Sequence, residues 1–218
     1  MPELFSCSAA LFDLDGTLVD STRVVEGMWA QWAAKRGVDL GRILAVSHGR
    51  RTIETMRELA PHLPDSTLED DAACHASEEE TRFDGIIAVD GAQTLLNAIP
   101  QDRWAIVTSC PRRLAERRLT AVGLPIPRVM VTAESVSQGK PDPEGYLMAA
   151  QLLNLNPEDC IVFEDAPAGL ESGRRAGMKR IAVATTFAPE ALIADLVVPN
   201  LAGFRAGMRG GMLELSHF

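Results

Sequence analysis

The sequence predicts an α/β fold, in which a parallel-sheet core is interrupted by an inserted all-helical cap domain. From about residue 103 onward, short continuous apolar runs alternate with helical patterns, which is typical of βαβ units in a sheet covered on both faces. Residues from about 18 to 84 have helical spacing and contain no convincing strand pattern. The apolar run SAALFDLD precedes that helical stretch and predicts the first strand of the sheet.

The strands of the core are predicted from apolar runs rich in β-branched residues. After SAALFDLD at 8–15, these runs are WAIVTS at 104–109, RVMVTA at 128–133, CIVFED at 160–165, RIAVAT at 180–185 and the short DLVVPN at 195–200. Helical patterns lie between them, at 111–123, 142–154 and 167–178. Because these strands and helices alternate, we expect right-handed crossovers and parallel strands.

The predicted cap opens with a helix that has Ser21 as a suitable N-cap and Gly37 as a suitable stop. Apolar residues at helical spacing are expected to form its packed face: Val24, Val25, Met28, Trp29 and Trp32. Two more helices are predicted at 50–60 and 66–82. The predicted division assigns residues 1–17 and 85–218 to the core and residues 18–84 to the cap.

Composition excludes several classes of partner. The chain of 218 residues has a net charge of −9, which argues against nucleic acid or an anionic membrane surface as the main partner. The sequence has neither the pattern of a signal peptide nor an apolar run of membrane-spanning length, so we expect a cytoplasmic protein. The four cysteines form no CxxC pair and the four histidines have no zinc-site spacing, which favours reduced thiols and no zinc.

The stretch LFDLDGTLVDS places Asp13, Asp15 and Asp20 around a Gly-Thr turn, directly after the first predicted strand. At ~4 Å and an effective dielectric constant of ~20, two unit charges interact by roughly 4 kcal/mol, so such crowding favours a bound cation. A calcium loop of the EF-hand type would need glycine at its sixth position and glutamate at its twelfth, and Gly16 and Val24 do not fit this pattern.

Other predicted strands also end in polar residues, Thr108-Ser109 and Glu164-Asp165. If these strands are neighbours, their carboxyl ends bring four carboxylates and two hydroxyls together, a set of oxygen ligands that suits Mg²⁺. Lys140 adds a positive charge just before a predicted helix. An attacking carboxylate, a second acid, a hydroxyl, a lysine and Mg²⁺ are together typical of phosphoryl transfer.

Four segments in this order, DLDGTLVDS, VTS, GKPDPEGY and VFEDAPAG, resemble the motifs of the haloacid dehalogenase superfamily of aspartate-nucleophile phosphotransferases. The resemblance implies a Rossmann-like core with the first strand central and a cap, inserted after the first motif, that determines substrate specificity. It also implies that Asp13 is the nucleophile, that Asp15 is the general acid and base, and that Thr108 and Lys140 bind the phosphoryl oxygens. The implied ligands of Mg²⁺ are the Asp13 carboxylate, the Asp15 backbone carbonyl, Asp165 and, directly or through water, Glu164.

The segment VSHGRRTIETMRELAPHLP at 46–64 resembles the cap of the sugar-phosphatase branch that acts on glycerol phosphate and 2-deoxyglucose 6-phosphate. TSCPR at 108–112 is similar to the TSGTR-like turn of that branch, with Cys110 in place of glycine. The resemblance therefore implies a small phosphorylated substrate. The candidate substrate contacts are Ser109, His48, Gly49, Arg50, Arg51 and Arg112.

Several alternatives stay open from the sequence: a phosphosugar mutase, a phosphoglycolate-type phosphatase, and a non-catalytic binding module. Hydrolysis is favoured over mutase chemistry because Val25 stands twelve residues after Asp13, where the related β-phosphoglucomutases have a histidine. A dehalogenase is disfavoured because Asp15 is present. Cys110 is a weak candidate nucleophile because no histidine lies nearby in the sequence, and we expect a monomer.

Overall fold

The computed structural model describes residues 3–218, which contain eleven strands and eight α-helices. The strands are β1 (Glu3–Cys7), β2 (Ala9–Phe12), β3 (Val19–Asp20), β4 (Ile87–Ala88), β5 (Trp104–Val107), β6 (Met130–Val131), β7 (Cys160–Glu164), β8 (Lys179–Val183), β9 (Leu196–Val198), β10 (Phe204–Arg209) and β11 (Met212–His217). The helices are α1 (Thr22–Arg36), α2 (Leu40–Ser47), α3 (Thr52–Leu59), α4 (Asp65–Glu79), α5 (Ala92–Ala98), α6 (Arg112–Ala121), α7 (Glu144–Leu152) and α8 (Pro167–Arg175).

The core is a six-stranded sheet with the order β6-β5-β2-β7-β8-β9, and all of its pairings are parallel. Its central strand β2 is completely buried, because successive side chains point to opposite faces and both faces are covered. Leu11 belongs to one apolar cluster with Val162 and Tyr146, whereas Phe12 belongs to another with Phe163. The predicted α/β fold with a parallel sheet is therefore confirmed.

A second, antiparallel sheet with the order β1-β11-β10 was not predicted from the sequence. The two-residue strands β3 and β4 also pair with each other, so the prediction of no strand within residues 18–84 is wrong at Val19–Asp20. The pair is too short to give an alternating pattern, since each strand contributes two residues. This short pair joins the segment that leaves the six-stranded sheet before α1 to the segment that returns to the sheet after α4.

Helices α1 to α4, here called the helical segment, lie between β3 and β4 and have an apolar cluster of their own. Trp29, Trp32 and Met56 are buried in that cluster. Helix α1 ends at Gly37 in the left-handed conformation, as the sequence predicts. Helix α2 was not predicted, and the boundaries 17/18 and 84/85 of the cap stay a prediction. Within residues 3–218, no helix combines the length and apolar character needed to cross a membrane.

Candidate active site

The carboxyl ends of three neighbouring strands bring polar residues together. Asp13 follows β2, Thr108 follows β5, and Glu164 ends β7 with Asp165 directly after it. In open parallel sheets this edge is where ligands bind. Carboxylate oxygens of Asp13, Glu164 and Asp165 lie within 4.8 Å of one another, and all three residues are buried. The convergence that the sequence predicts is present for these acids.

One lysine faces this cluster of acids. The Lys140 Nζ lies 2.5 Å from Asp13 Oδ1 and 2.6 Å from Glu164 Oε1, and it donates a hydrogen bond to the Val107 carbonyl. Burial, with a smaller contribution from the nearby Glu164 carboxylate, raises the pKa of Asp13 to about 8 against the opposing effect of Lys140. Burial and the two neighbouring acids also raise the pKa of Asp165 well above its ordinary value. One lysine therefore does not balance the charge of the three acids.

Each of the three acids has one buried oxygen without a hydrogen-bond partner in the part of the chain that the structure describes. These atoms are Asp13 Oδ2, Glu164 Oε2 and Asp165 Oδ2. Buried polar atoms in native proteins are nearly always paired, so three unpaired oxygens in one place are suited to binding a cation. Oxygen atoms from carboxylates are the ligands that Mg²⁺ prefers, and the residues present fit such an ion.

Gly16 allows the first loop to approach this cluster closely. Its φ is +88°, and a Cβ at this position would lie 2.0 Å from Asp165 Oδ2. A larger residue would therefore displace an acid of the cluster as well as strain the backbone. The Thr185 hydroxyl also donates a hydrogen bond to the Gly16 carbonyl, which ties this turn to the end of β8.

Asp15 lies only two residues from Asp13 but has different partners. The Ser21 hydroxyl donates to Asp15 Oδ1 at 2.8 Å, and the Arg118 guanidinium lies 2.8 Å from Asp15 Oδ2. Its side chain is 25% exposed, whereas that of Asp13 is 3% exposed. The two acids of the DxD sequence therefore have separate environments, which is how one site can assign two roles to two carboxylates.

The turn after β5 lies between the sheet and the helical segment. The Thr108 hydroxyl accepts a hydrogen bond from the Cys110 backbone N–H at 3.2 Å, and the Ser109 hydroxyl donates to the Gly49 carbonyl at 2.8 Å. Burial and the nearby Asp15 carboxylate raise the pKa of the Cys110 thiol, which disfavours the thiolate that a cysteine nucleophile needs. This environment agrees with the sequence analysis, in which Cys110 is a weak candidate for the nucleophile.

A cavity of about 220 Å³ separates the sheet edge from the helical segment. Its strand-end wall includes Asp13, Asp15, Thr108 and Ser109. Its helical wall consists of residues of the helical segment, among them Val25, Trp29, His48, Gly49, Arg50, Arg51, His75 and Glu79. Five of the six predicted substrate contacts therefore line the cavity.

Arg112 is the predicted substrate contact that the structure does not bring to the cavity. Its guanidinium donates to the Met130 carbonyl at 2.6 Å and lies 3.6 Å from Glu116. At the first turn of α6, the side chain extends toward β6 instead of the cavity.

The two predicted basic residues of the helical wall already have partners. Arg50 lies 2.7 Å from Glu58. Arg51 donates to three backbone carbonyls of the core, those of Ala133, Val136 and Ser137, at 3.0, 2.6 and 3.2 Å. Arg51 therefore joins the helical segment to the core in addition to lining the cavity.

Sequence reasoning missed three polar residues near the acids: His75, Glu79 and Arg118. Both ring nitrogens of His75 are buried and lack a hydrogen-bond partner within the described residues. Arg118 was detectable, because it belongs to the stripe of buried residues on α6 that includes Leu114 and Leu119. A charged residue in an apolar stripe indicates a specific partner.

A parallel sheet with buried acids at its carboxyl edge, and four helices inserted between β3 and β4, is an architecture of hydrolases. The chain belongs to the haloacid dehalogenase-like hydrolase family, whose model matches residues 7–177. The chain is 42% identical to hexitol phosphatase A of Escherichia coli (strain K12) over 198 residues, which cover 89% of this chain and 92% of that protein.

Two further similarities agree with this family. The chain is 34% identical to glycerol-1-phosphate phosphohydrolase 2 of Saccharomyces cerevisiae, over 94% of this chain and 87% of that protein. A crystal structure of a hydrolase from Pseudomonas syringae superposes with a TM-score of 0.79 at 26% identity, covering 89% of this chain and 94% of that one. The resemblance noted from the four sequence motifs is therefore confirmed.

Proposed function

We propose that the protein is a Mg²⁺-dependent phosphatase that hydrolyses small phosphorylated sugars or polyols through a phosphoryl group carried on Asp13. Its broad class, phosphoric monoester hydrolase, follows from the family and from the phosphatases among its relatives. The observation that carries the finer proposal is the cluster of buried acids with three unpaired oxygens at the edge of the cavity. The names of the relatives, hexitol and glycerol phosphatases, support a sugar or polyol phosphate as the substrate.

In the first step of the proposed reaction, the Asp13 carboxylate attacks phosphorus and the bond between phosphorus and the ester oxygen breaks. Asp15 donates a proton to that oxygen, so the product leaves as a neutral alcohol. In the second step, water attacks the phosphoryl group on Asp13 while Asp15 takes up a proton. Phosphate then leaves and the Asp13 carboxylate is restored.

The remaining polar residues are assigned to charge neutralisation. Lys140 and the Thr108 hydroxyl bind the phosphoryl oxygens, and Lys140 already contacts Asp13. Asp13, Asp165 and, directly or through water, Glu164 would hold Mg²⁺ through their side chains, and Asp15 would do so through its backbone carbonyl. When bound, Mg²⁺ offsets the charge of the acids and of the phosphoryl oxygens.

Hydrolysis is favoured over a phosphosugar mutase by the charges of the cavity. A mutase must bind a bisphosphate, which requires a second cationic site for the distal phosphate. Three arginines line this cavity, and the guanidinium of each is already bonded to acceptors of the protein: Arg50, Arg51 and Arg118. Burial lowers the pKa of His48, which favours its neutral form. This wall therefore suits hydroxyl groups better than a phosphate.

We also propose that residues 18–84 act as the cap that determines substrate specificity. The observation behind this is that the wall facing the acids comes from the helical segment. A monomeric state and a cytoplasmic location stay predictions.

The test of this function is phosphate release across a panel of phosphomonoesters, with Mg²⁺ and with excess chelator. The panel contains hexitol phosphates, glycerol phosphate, 2-deoxyglucose 6-phosphate and phosphoglycolate. We expect the sugar and polyol esters to be hydrolysed fastest and chelator to abolish the activity. Faster hydrolysis of phosphoglycolate, or full activity in chelator, would contradict the proposal.

A second assay separates hydrolysis from isomerisation. The enzyme is incubated with β-glucose 1-phosphate, Mg²⁺ and a trace of bisphosphate, and both glucose 6-phosphate and free phosphate are followed. We expect phosphate release to exceed isomerisation. The opposite order would favour the mutase, and no turnover of any ester would favour a non-catalytic binding module.

A further inference from the structure

Arg118 is a buried charge that connects the acid/base candidate Asp15 with the helical segment. Its side chain is 2% exposed. One terminal nitrogen lies 2.8 Å from Asp15 Oδ2, and the other donates to Glu79 Oε1 at 3.0 Å. Arg118 belongs to helix α6 of the core, whereas Glu79 is the last residue of α4 in the helical segment. One guanidinium therefore spans the two walls of the cavity.

The two oxygens of Asp15 are held from two sides. Ser21 donates to Oδ1 and Arg118 contacts Oδ2, so the carboxylate has little freedom to rotate. A group that delivers a proton must be held within hydrogen-bond reach of the leaving oxygen, and a small displacement is enough to slow the reaction. Ser21 gives only one hydrogen bond, and Arg118 provides the second, charged contact.

Burying the Arg118 guanidinium costs free energy, and the need to fill space in the interior does not explain why an arginine stands there. Apolar residues of similar volume often replace buried ion pairs without loss of stability. Burial opposes the charge of Arg118, but the carboxylates of Asp15 and Glu79 outweigh this effect and hold its pKa above the ordinary value. Burial also opposes ionisation of Glu79, but nearby His75 and Arg118 hold its pKa below the usual range. The charge of Arg118 is thus stabilised by the Asp15 and Glu79 carboxylates, and the charge of Glu79 is stabilised by Arg118.

We propose that Arg118 is a positioning residue, which orients Asp15 for proton transfer and is itself held in place by Glu79 of the helical segment. The position of the helical segment relative to the core is thereby linked to the position of the Asp15 carboxylate. This inference rests on the proposed phosphatase function, since it concerns the residue that delivers the proton in that reaction.

The test compares two esters that differ in their need for a proton. The leaving group of p-nitrophenyl phosphate is a stable phenolate, whereas that of glycerol phosphate is an alkoxide that must be protonated. The quantity kcat/KM reports the steps up to cleavage of the ester bond, which are the steps that contain this protonation. A misplaced Asp15 must therefore lower kcat/KM more for glycerol phosphate than for p-nitrophenyl phosphate.

We expect Arg118→Met to lower kcat/KM for glycerol phosphate by about 10²-fold, the scale of general acid catalysis, and that for p-nitrophenyl phosphate by less than about 3-fold. Arg118→Lys should recover part of the loss, and Glu79→Gln should shift the ratio in the same direction by a smaller factor. The matched control is Arg113→Met, which removes an ion pair between the exposed Arg113 of α6 and Glu80, the residue that follows α4, 3.1 Å away. We expect it to change neither value.

Equal losses for the two esters, or an unchanged ratio, would overturn the positioning role and leave Arg118 a structural residue. If Arg118→Met does not fold, the same ratio measured with Arg118→Lys and Glu79→Gln decides the question. Wild-type protein that releases phosphate from neither ester would instead contradict the proposed function. The failure of one claim is thus distinct from the failure of the other.

Discussion

The two walls of the cavity differ in whether their charged side chains are paired within the protein. On the strand-end side, the acids of the cluster outnumber the single lysine and leave three oxygens unpaired within the described residues. On the helical side, the guanidinium groups of Arg50 and Arg51 are bonded to acceptors of the protein itself. The strand-end wall has carboxylate oxygens that can bind a ligand, whereas the two arginines of the helical wall are already paired with protein acceptors.

Under the proposed function, this difference assigns the chemical steps to the strand-end wall and substrate recognition to the helical wall. Unpaired buried acids lower stability, so a site that retains them must gain from a bound cation or phosphoryl group. A wall whose charges are already paired can select a substrate by its shape and its hydroxyl groups, with little attraction for a second phosphate. The predictions below test each wall, from the largest expected effect to the smallest.

The strand-end wall should lose its activity with Asp13→Asn, because an amide is a poor nucleophile. We expect kcat to fall by more than about 10³-fold while the fold is retained. The control is Asp20→Asn, which changes the third acid of the same stretch. Asp20 accepts a hydrogen bond from the Thr22 backbone N–H and lies outside the cluster, so near-normal activity is expected. Phosphatase activity above about one-hundredth of wild type in folded Asp13→Asn would reject the nucleophile.

Asp165→Asn, in the acid cluster of the strand-end side, should change activity and stability in opposite directions. It removes one of three crowded acids, so we expect a higher melting temperature than wild type in chelator. It also removes a metal ligand, so added Mg²⁺ should raise the melting temperature of wild type but not that of the variant. Activity should fall by about 10²-fold. Equal stabilisation of both proteins by Mg²⁺, measured by calorimetry, would remove Asp165 from the metal site.

The helical wall should respond in KM more than in kcat. His75→Ala removes a buried ring whose nitrogens form no hydrogen bond within residues 3–218, although Nδ1 lies 3.7 Å from Glu79 Oε2, and we expect a substrate hydroxyl to bond to this ring. Loss of one such hydrogen bond should raise KM by roughly 2- to 10-fold, with a smaller change in kcat because His75 also lies beside Glu79. His62→Ala, at an exposed position of the same segment, is the matched control. An unchanged KM for His75→Ala would show that this side chain contacts no substrate group.

Arg112→Ala should have the smallest effect, because the structure turns this guanidinium to the Met130 carbonyl and away from the cavity. We expect kcat and KM within about twofold of wild type, as for most surface substitutions. A rise in KM comparable to that expected for His75→Ala would place Arg112 at the substrate and restore the interpretation drawn from the sequence.

Much of the strand-end wall could be predicted from the sequence because several of its residues directly follow or end a strand. Asp13, Thr108 and Glu164 needed only a recognisable strand pattern and the parallel arrangement to be brought together. Lys140 was identified from its motif, and the structure places it against Asp13. Local pattern and sheet order therefore accounted for most of this wall.

The helical wall was harder to predict because its residues meet through the packing of separate helices. His75 and Glu79 lie one turn apart on α4, in a run of acidic residues that is also typical of a solvated face. Their position depends on how α4 lies against α6, which no local pattern specifies. Arg112 shows the reverse error, since a resemblance in a short turn does not determine the direction of a long side chain.

One part of the antiparallel sheet, its hairpin turn, has a recognisable signal in the sequence. Gly210 and Gly211 have φ values of +58° and +83°, and a Gly-Gly pair between two strand-like runs is typical of a tight hairpin. The prediction failed because the flanking strands β10 and β11 mix small, polar and apolar residues. Here the turn was more informative than the strands.

The pairing of β1 with β11 has a consequence for synthesis of the chain on the ribosome. Cys7 contacts the Leu213 carbonyl across 206 residues, so β1 is made early but must wait for β11 before its edge is covered. Contacts of such long separation slow folding, and an uncovered strand edge can pair with another copy meanwhile. We therefore expect β1 to stay unpaired until β11 has been made, and aggregation to compete with folding most strongly at high expression and high temperature.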